Sequence, residues 1–348
     1  MNTKRIGITG VILIIIALLF IYPMDIYISK PGGAYDLTPL VDVEGGDEND
    51  VGTFSLMTIS LSKATAASYV YSKFSSQRNI LPAEQVRRSG ENETEYNVRQ
   101  KRLMSDSQFS AITVAFDRAD IPVDVTFDGV SIMSVLEGGA AGGFLEAGDK
   151  IQLVDGVQLI ESGQFADIIS RKIEGDEVNL TFKRKDVEKN VTVKLKEIPN
   201  SNGRVGLGVQ FLEDRTLTTD PEVTMHTSNI GGPSAGLMFT LEIMNRLIDD
   251  DITKGYNIAG TGEMLDDGTV GRIGGADFKV IAASGKGVEI FFAPDDELPK
   301  EVLDKNPGLQ TNYEEAVEMA EKIDTKMKIV PVKTIDDALE YLENLEPK

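Results

Sequence analysis

The strongest constraint on this chain lies at its start. Ile6 to Met24 carries no charge and is dominated by Ile, Leu, Val and Phe. Its length fits a bilayer-spanning helix, which needs about 20 residues. Lys4 and Arg5 precede it. The positive-inside rule keeps residues 1–5 in the cytoplasm and puts the bulk of the chain outside. The competing reading is a cleavable signal peptide. The run, however, leaves through Tyr22-Pro23-Met24-Asp25 without a small-x-small cleavage site. The expectation is a single-pass anchor over residues 6–24 at the cell membrane, with an extracytoplasmic chain behind it.

The whole chain has 348 residues, which leaves room for about two domains and a sizeable core. Residues 25 to about 117 read as mixed α/β. Strands are predicted at Leu40–Val43 and Thr53–Ile59, and helices at Ala64–Phe74 and Glu93–Phe116. Residues 118–198 read as a small β-rich module. Pro199-Asn200-Ser201-Asn202-Gly203 is a linker signal. After it, strands at Val205–Phe211, Glu222–Ser228, Asn257–Thr261, Val288–Phe292 and Met327–Val332 alternate with helices, which argues an α/β or α+β lobe.

Composition narrows the chemistry. The chain has no cysteine, which removes disulfides, thiolate nucleophiles and Cys-based zinc sites. Its single histidine, His226, cannot build a His-rich metal site, so no metal or cofactor is expected. With 56 acidic residues against 35 Lys and Arg, the net charge is −21, and nucleic-acid binding is disfavoured.

One turn carries nucleophile chemistry. Ile230-Gly231-Gly232-Pro233-Ser234-Ala235-Gly236 leads directly into the apolar helical pattern Leu237 to Met244. Proline suits the first turn of a helix, so Ser234 falls at a helix N-terminus, where free N–H groups and a positive dipole end can stabilise an oxyanion. The expected donors are the backbone N–H groups of Ser234 and Ala235. A serine still needs a base. His226 lies in the preceding strand, and eight residues of strand and turn would have to fold back to reach Ser234. The other candidate is a desolvated lysine, neutral at pH 7. Lys279, in Gly274-Gly275-Ala276-Asp277-Phe278-Lys279-Val280-Ile281-Ala282-Ala283, has apolar flanks. A surface lysine on an amphipathic helix is the plain alternative, and Asp277 could pair with it and keep it charged.

Two resemblances add to this. Val130 to Val135, then Glu137-Gly138-Gly139-Ala140-Ala141-Gly142-Gly143, Leu145-Glu146-Ala147-Gly148-Asp149-Lys150-Ile151 and Asp155-Gly156, resemble a bacterial PDZ domain. That implies capture of an extended peptide at a sheet edge, with Gly129, Val130, Ser131, Ile132 and Met133 lining the groove. The set Gly232-Pro233-Ser234-Ala235-Gly236, Thr261-Gly262-Glu263 and Gly271-Arg272-Ile273-Gly274-Gly275 followed by Lys279 resembles the proteolytic domain of Lon-type proteases over residues 205–345. That resemblance implies a Ser234–Lys279 dyad supported by Thr261, residues 30–117 as early strands of the protease lobe, the PDZ module as an insertion, and assembly into a homo-oligomer. No Gly-x-x-x-x-Gly-Lys-Ser/Thr loop is present. The combination is similar to membrane-anchored, PDZ-containing Lon-like proteases of Gram-positive bacteria.

The expected function is therefore ATP-independent serine endopeptidase action on extracytoplasmic peptides or unstructured segments, including secreted signalling peptides. The rival is a catalytically inactive PDZ adaptor that organises partners at the membrane. A peptidase using His226 is the third reading.

Overall fold

Two six-stranded sheets organise the computed structural model, which describes residue 13 and residues 17–47, 51–199, 201–227 and 230–348. The first sheet draws strands from both ends of the sequence. From the N-terminal side come β1 (Pro23–Asp36), β3 (Thr53–Thr65) and β4 (Asn79–Pro82), with β2 (Val41–Val43) outside this sheet. Helix α1 (Ala66–Ser72) lies between β3 and β4, and the long α2 (Glu93–Arg118) follows. Each helix starts with a reciprocal cap, Thr65 with Ser68 and Asn92 with Glu95. Such a box satisfies donors that the first turn leaves free.

The second sheet is the PDZ-like module. It contains β5 (Asp124–Val135), β6 (Lys150–Val154), helix α3 (Gln164–Ser170), β7 (Glu177–Arg184), β8 (Val187–Lys194) and β9 (Val209–Thr218). The strand order is β9-β5-β6-β7-β8, with a two-residue strand beside β6. Its own core is built from Val130, Ile132, Leu145, Ile151, Leu180 and Phe182 among others. Asp149 explains the Leu-x-x-Gly-Asp signature. It is fully buried, accepts from the Glu146 N–H at 2.9 Å, and holds Arg184 through two bonds of 2.7 and 2.6 Å. A buried carboxylate is tolerated when its oxygens are used in this way.

The chain then returns to the first sheet. β10 (Val223–Met225) pairs with β2, and α4 (Gly236–Leu247) crosses the sheet. β11 (Asn257–Gly260), α5 (Ala276–Lys286), β12 (Ile290–Pro294), α6 (Asn312–Lys322), β13 (Lys328–Val332) and α7 (Ile335–Glu343) complete it. The order is β13-β12-β11-β3-β1-β4. The last helix is capped by Thr334 and Asp337. Alternate residues of the central strands feed two cores. Phe54, Leu56, Ile258 and Phe292 meet α4, α2 and α7 on one face, while Met57, Ala259, Phe291 and Ala293 meet α5 and α6 on the other. Helices on both faces leave the central strands almost wholly apolar.

Three expectations change. The residue range assigned to the anchor overlaps β1, which begins at Pro23. Residues 1–12 and 14–16 lie outside the described residues, while Leu13 and residues 17–21 are helical and exposed. Among the described residues no helix is long and apolar enough to cross a membrane. The β-rich module does not end at 198. β9 pairs along β5 from Val209↔Val135 to Thr218↔Asp124, so residues 209–218 belong to the PDZ-like sheet and not to the lobe beginning at 205. Finally, β5 is no free edge. Val130 faces Glu213 on one side and Ile151 on the other, and Ser131 faces Leu212 and Lys150. A strand paired on both sides cannot accept a third, so of Gly129, Val130, Ser131, Ile132 and Met133 the central three, Val130, Ser131 and Ile132, are not open to edge addition.

Candidate active site

The serine turn is held from two directions. Helix α2 supports it from behind: the Gly232 N–H donates to the Gln100 carbonyl at 3.0 Å, and the Ser107 hydroxyl donates to the Pro233 carbonyl at 2.8 Å. Gly232 has a positive φ of 87°, which glycine adopts without strain. Gly236 must also be glycine, because a Cβ there would lie 2.5 Å from the Met264 nitrogen. From the sheet side, the carbonyl of Ser234 accepts from the Gly262 N–H at 3.1 Å and from the Thr261 hydroxyl at 3.0 Å. Ser234 is thus fixed in the turn ahead of α4, whose N-cap is Ala235.

Lys279 comes from the first turn of α5, its N–H bonded to the Gly275 carbonyl. Ala276, Phe278, Val280 and Ala283 on the same helix are buried, and they carry Lys279 into the interior with them, to 1% exposure. Its Nζ lies 2.6 Å from Ser234 Oγ and 2.7 Å from Thr261 Oγ1. Desolvation lowers its pKa from the ordinary lysine value of 10.5 to about 7. The positive end of α5 acts in the same direction. Among the described residues no charged group opposes that shift. The Asp277 carboxylate accepts instead from the Phe278 N–H.

These three side chains have a definite polarity. Thr261 gives its own hydroxyl proton to the Ser234 carbonyl, so toward Lys279 its oxygen can only accept. A neutral amine has two N–H bonds and one lone pair. With one N–H directed to Thr261, the lone pair can turn to the Ser234 hydroxyl, which then donates to Nζ. A separation of 2.6 Å lies within reach for proton transfer. Among the described residues the N–H groups of Ser234 and Ala235 donate no hydrogen bond, which leaves both free for an incoming acceptor. His226 is exposed just beyond β10, with its N–H on the Leu40 carbonyl and no bond to Ser234.

Ser234 and Lys279 open onto a cleft of about 1100 Å³. Its walls include residues that sequence patterns did not single out: Gly32 and Tyr35 from β1, Met57 to Leu61 from β3, and Tyr96 and Gln100 from α2. β11 pairs with β3 only from Thr53 to Leu56. Beyond Leu56, the β3 edge facing the cleft has no strand partner among the described residues. The strand alternation of residues 53–59 marked β3 as a strand; nothing local marked which edge stays open.

Among the described residues the PDZ-like sheet has two outer edges, that of β8 and that of β9. Helix α3 packs beside β9 through Phe165 on Phe211, ring centroids 4.7 Å apart. Glu213 of β9 accepts from Ser162 and from the Gly163 N–H, just before that helix.

The family model for the PDZ domain matches residues 101–195. Curated relatives include Lon protease of Metamycoplasma arthritidis, 28% identical over 47% of this chain, and Lon protease of Elusimicrobium minutum, 32% identical over 34% of it. The aligned part spans 18% and 12% of those proteins. Solved structures include the PDZ domain of an SdrC-like protein from Listeria monocytogenes, 35% identical over 24% of this chain and 88% of that one, with a TM-score of 0.23. Another, from Geobacillus thermodenitrificans, is 38% identical over 24% of this chain and 95% of that one, with a TM-score of 0.22. This is a chain with a PDZ domain. It is also similar in sequence, over part of its length, to proteases named Lon.

Proposed function

We propose that the chain is a serine endopeptidase of the Lon type, working without ATP from a tether in the cell membrane on extracytoplasmic peptides or unstructured segments. The observation that supports it best is the 2.6 Å contact between Ser234 Oγ and a buried lysine Nζ that has no carboxylate partner among the described residues. Lys279 takes the hydroxyl proton as Ser234 Oγ attacks a peptide carbonyl. The oxyanion meets the N–H groups of Ser234 and Ala235. The ammonium passes its proton to the departing amine, leaving an ester on Ser234. Lys279 then deprotonates water, which releases the acid and restores the hydroxyl.

Substrate would reach the cleft as an extended strand along the open edge of β3. A second extended peptide, or a remote part of the same one, would add to β9 beside α3. The uncharged run ahead of β1, Ile6–Tyr22, supports the tether. The decisive test is hydrolysis of an unstructured peptide library by the full chain and by Ser234→Ala. Cleavage by the parent and at least ~10³-fold less by the variant is expected. Equal turnover by both ends the proposal. Peptide binding without turnover by either leaves the adaptor reading.

A further inference from the structure

We propose that α1 and the segment after it, residues 66–78, form a second membrane contact that lies on the bilayer interface. The inference rests on the tether reading above and adds a surface to it. Three observations converge. First, α1 ends in an uncovered apolar tip: Val70, Tyr71 and Phe74 are 57%, 60% and 87% exposed. Second, that tip stands where the N-terminal run enters the fold. Pro23, the first residue of β1, pairs with Thr65, the residue that caps α1. Leu18, Leu19, Phe20, Ile21 and Tyr22 immediately before it are exposed as well. Third, the charge is inverted locally. The chain holds 56 Asp and Glu in 348 residues, yet none occurs from Val51 to Ala83, where Lys63, Lys73 and Arg78 are the charged residues.

The chemistry is that of an interfacial segment. Aromatic rings with a polar edge and basic side chains with apolar stems favour the headgroup layer. Here they already sit together, Lys73 Nζ 5.1 Å from the Tyr69 ring and the Arg78 guanidinium 4.6 Å from the Tyr71 ring. A protein with net charge −21 is otherwise repelled by anionic lipid, and a carboxylate-free basic segment is where approach is least opposed. Docking would also set a height. From Thr65 back to Ile59 in the cleft, β3 spans about 20 Å at ~3.3 Å per residue. Peptides would then be cut within that distance of the lipid surface.

The sequence contains no tryptophan, so one can be placed without background. The full chain carrying Phe74→Trp is reconstituted into vesicles of phosphatidylcholine and phosphatidylglycerol, with and without bromine on the acyl chains. Val187→Trp, at the tip of the β7–β8 hairpin and 60% exposed, is the reference. The expected result is a blue-shifted Phe74→Trp emission that brominated lipid quenches several-fold more than the reference. Emission equal to the reference in a chain that floats with the vesicles overturns the docking and leaves the tether. A blue shift without bromine quenching places the ring against protein and overturns it too. A chain that does not float overturns the tether, and the docking with it.

Discussion

Replacing Lys279 by Met should abolish turnover and, at neutral pH, stabilise the fold. The side chain keeps much of its volume and loses its charge. In the folded protein burial holds the Lys279 pKa at about 7, against 10.5 in an open chain. Between those values the unfolded chain binds the extra proton, so stability rises with pH across that window. Each pH unit is worth about 1.4 kcal/mol. The lysine therefore costs the fold about 4 kcal/mol near pH 7 and about 1 kcal/mol near pH 9.5. Methionine removes that cost, but it also removes the bonds to Ser234 and Thr261, worth about 1 kcal/mol each. The variant should be more stable than the parent by about 2 kcal/mol near neutral pH and less stable by about 1 kcal/mol near pH 9.5. The assay is urea unfolding of the full chain in detergent at both pH values, followed by circular dichroism. A Met variant destabilised at both, or shifted equally at both, refutes a buried lysine with a depressed pKa.

Activity has a matching pH dependence: as the base must be neutral, kcat/KM should rise with pH through about 7, the folded Lys279 value. A rate flat across that range, or one that rises only near the ordinary lysine value, contradicts the assignment. Thr261→Val removes the acceptor that aims the amine while keeping shape; kcat should fall about 10- to 100-fold with little change in KM, as steady-state kinetics would read. Ile59→Pro tests the open edge of β3. Pro31 stands opposite Ile59 and has no N–H to give. That favours the register in which the N–H and C=O of Ile59 face the cleft. Losing one substrate bond should lower kcat/KM up to about 10-fold on unstructured peptides, with circular dichroism unchanged.

Sequence patterns located most elements because their signals are local. The helix expected over Glu93–Phe116 occurs at Glu93–Arg118, and its start is set by Asn92 and Glu95 alone. The apolar flanks of Lys279 suffice to carry it inward, since Phe278 and Val280 cannot be buried without taking the residue between them. The PDZ signature is legible for a similar reason: within it, Glu146 and Asp149 close a turn on each other. What escaped was pairing between distant segments. β9 reads as an ordinary strand, and its sequence says nothing of β5 some 80 residues earlier; hence the misplaced groove. β1 was hidden because an uncharged run continues directly into it at Pro23.

Helix α2 then explains why the two halves share one chain. Within about two turns it holds both candidate sites. The Gln100 carbonyl and the Ser107 hydroxyl fix Gly232 and Pro233 of the serine turn. Between them, Arg102 donates to Asp214 at 2.7 Å and to the Glu213 carbonyl at 2.7 Å, both on β9. Asp214 also accepts from Ser131 at 2.9 Å and lies 3.4 Å from Lys150 Nζ. Glu213 in turn anchors the start of α3. A peptide added to the outer edge of β9 therefore loads a strand whose middle is bonded to the support of the serine turn. Arg102 and Asp214 are only 16% and 12% exposed, and groups packed in this way resist gradual displacement. A force on β9 is shared between β5, its partner along its length, and Arg102, which lies on the same stretch of α2 that holds Gly232 and Pro233, the two residues before Ser234.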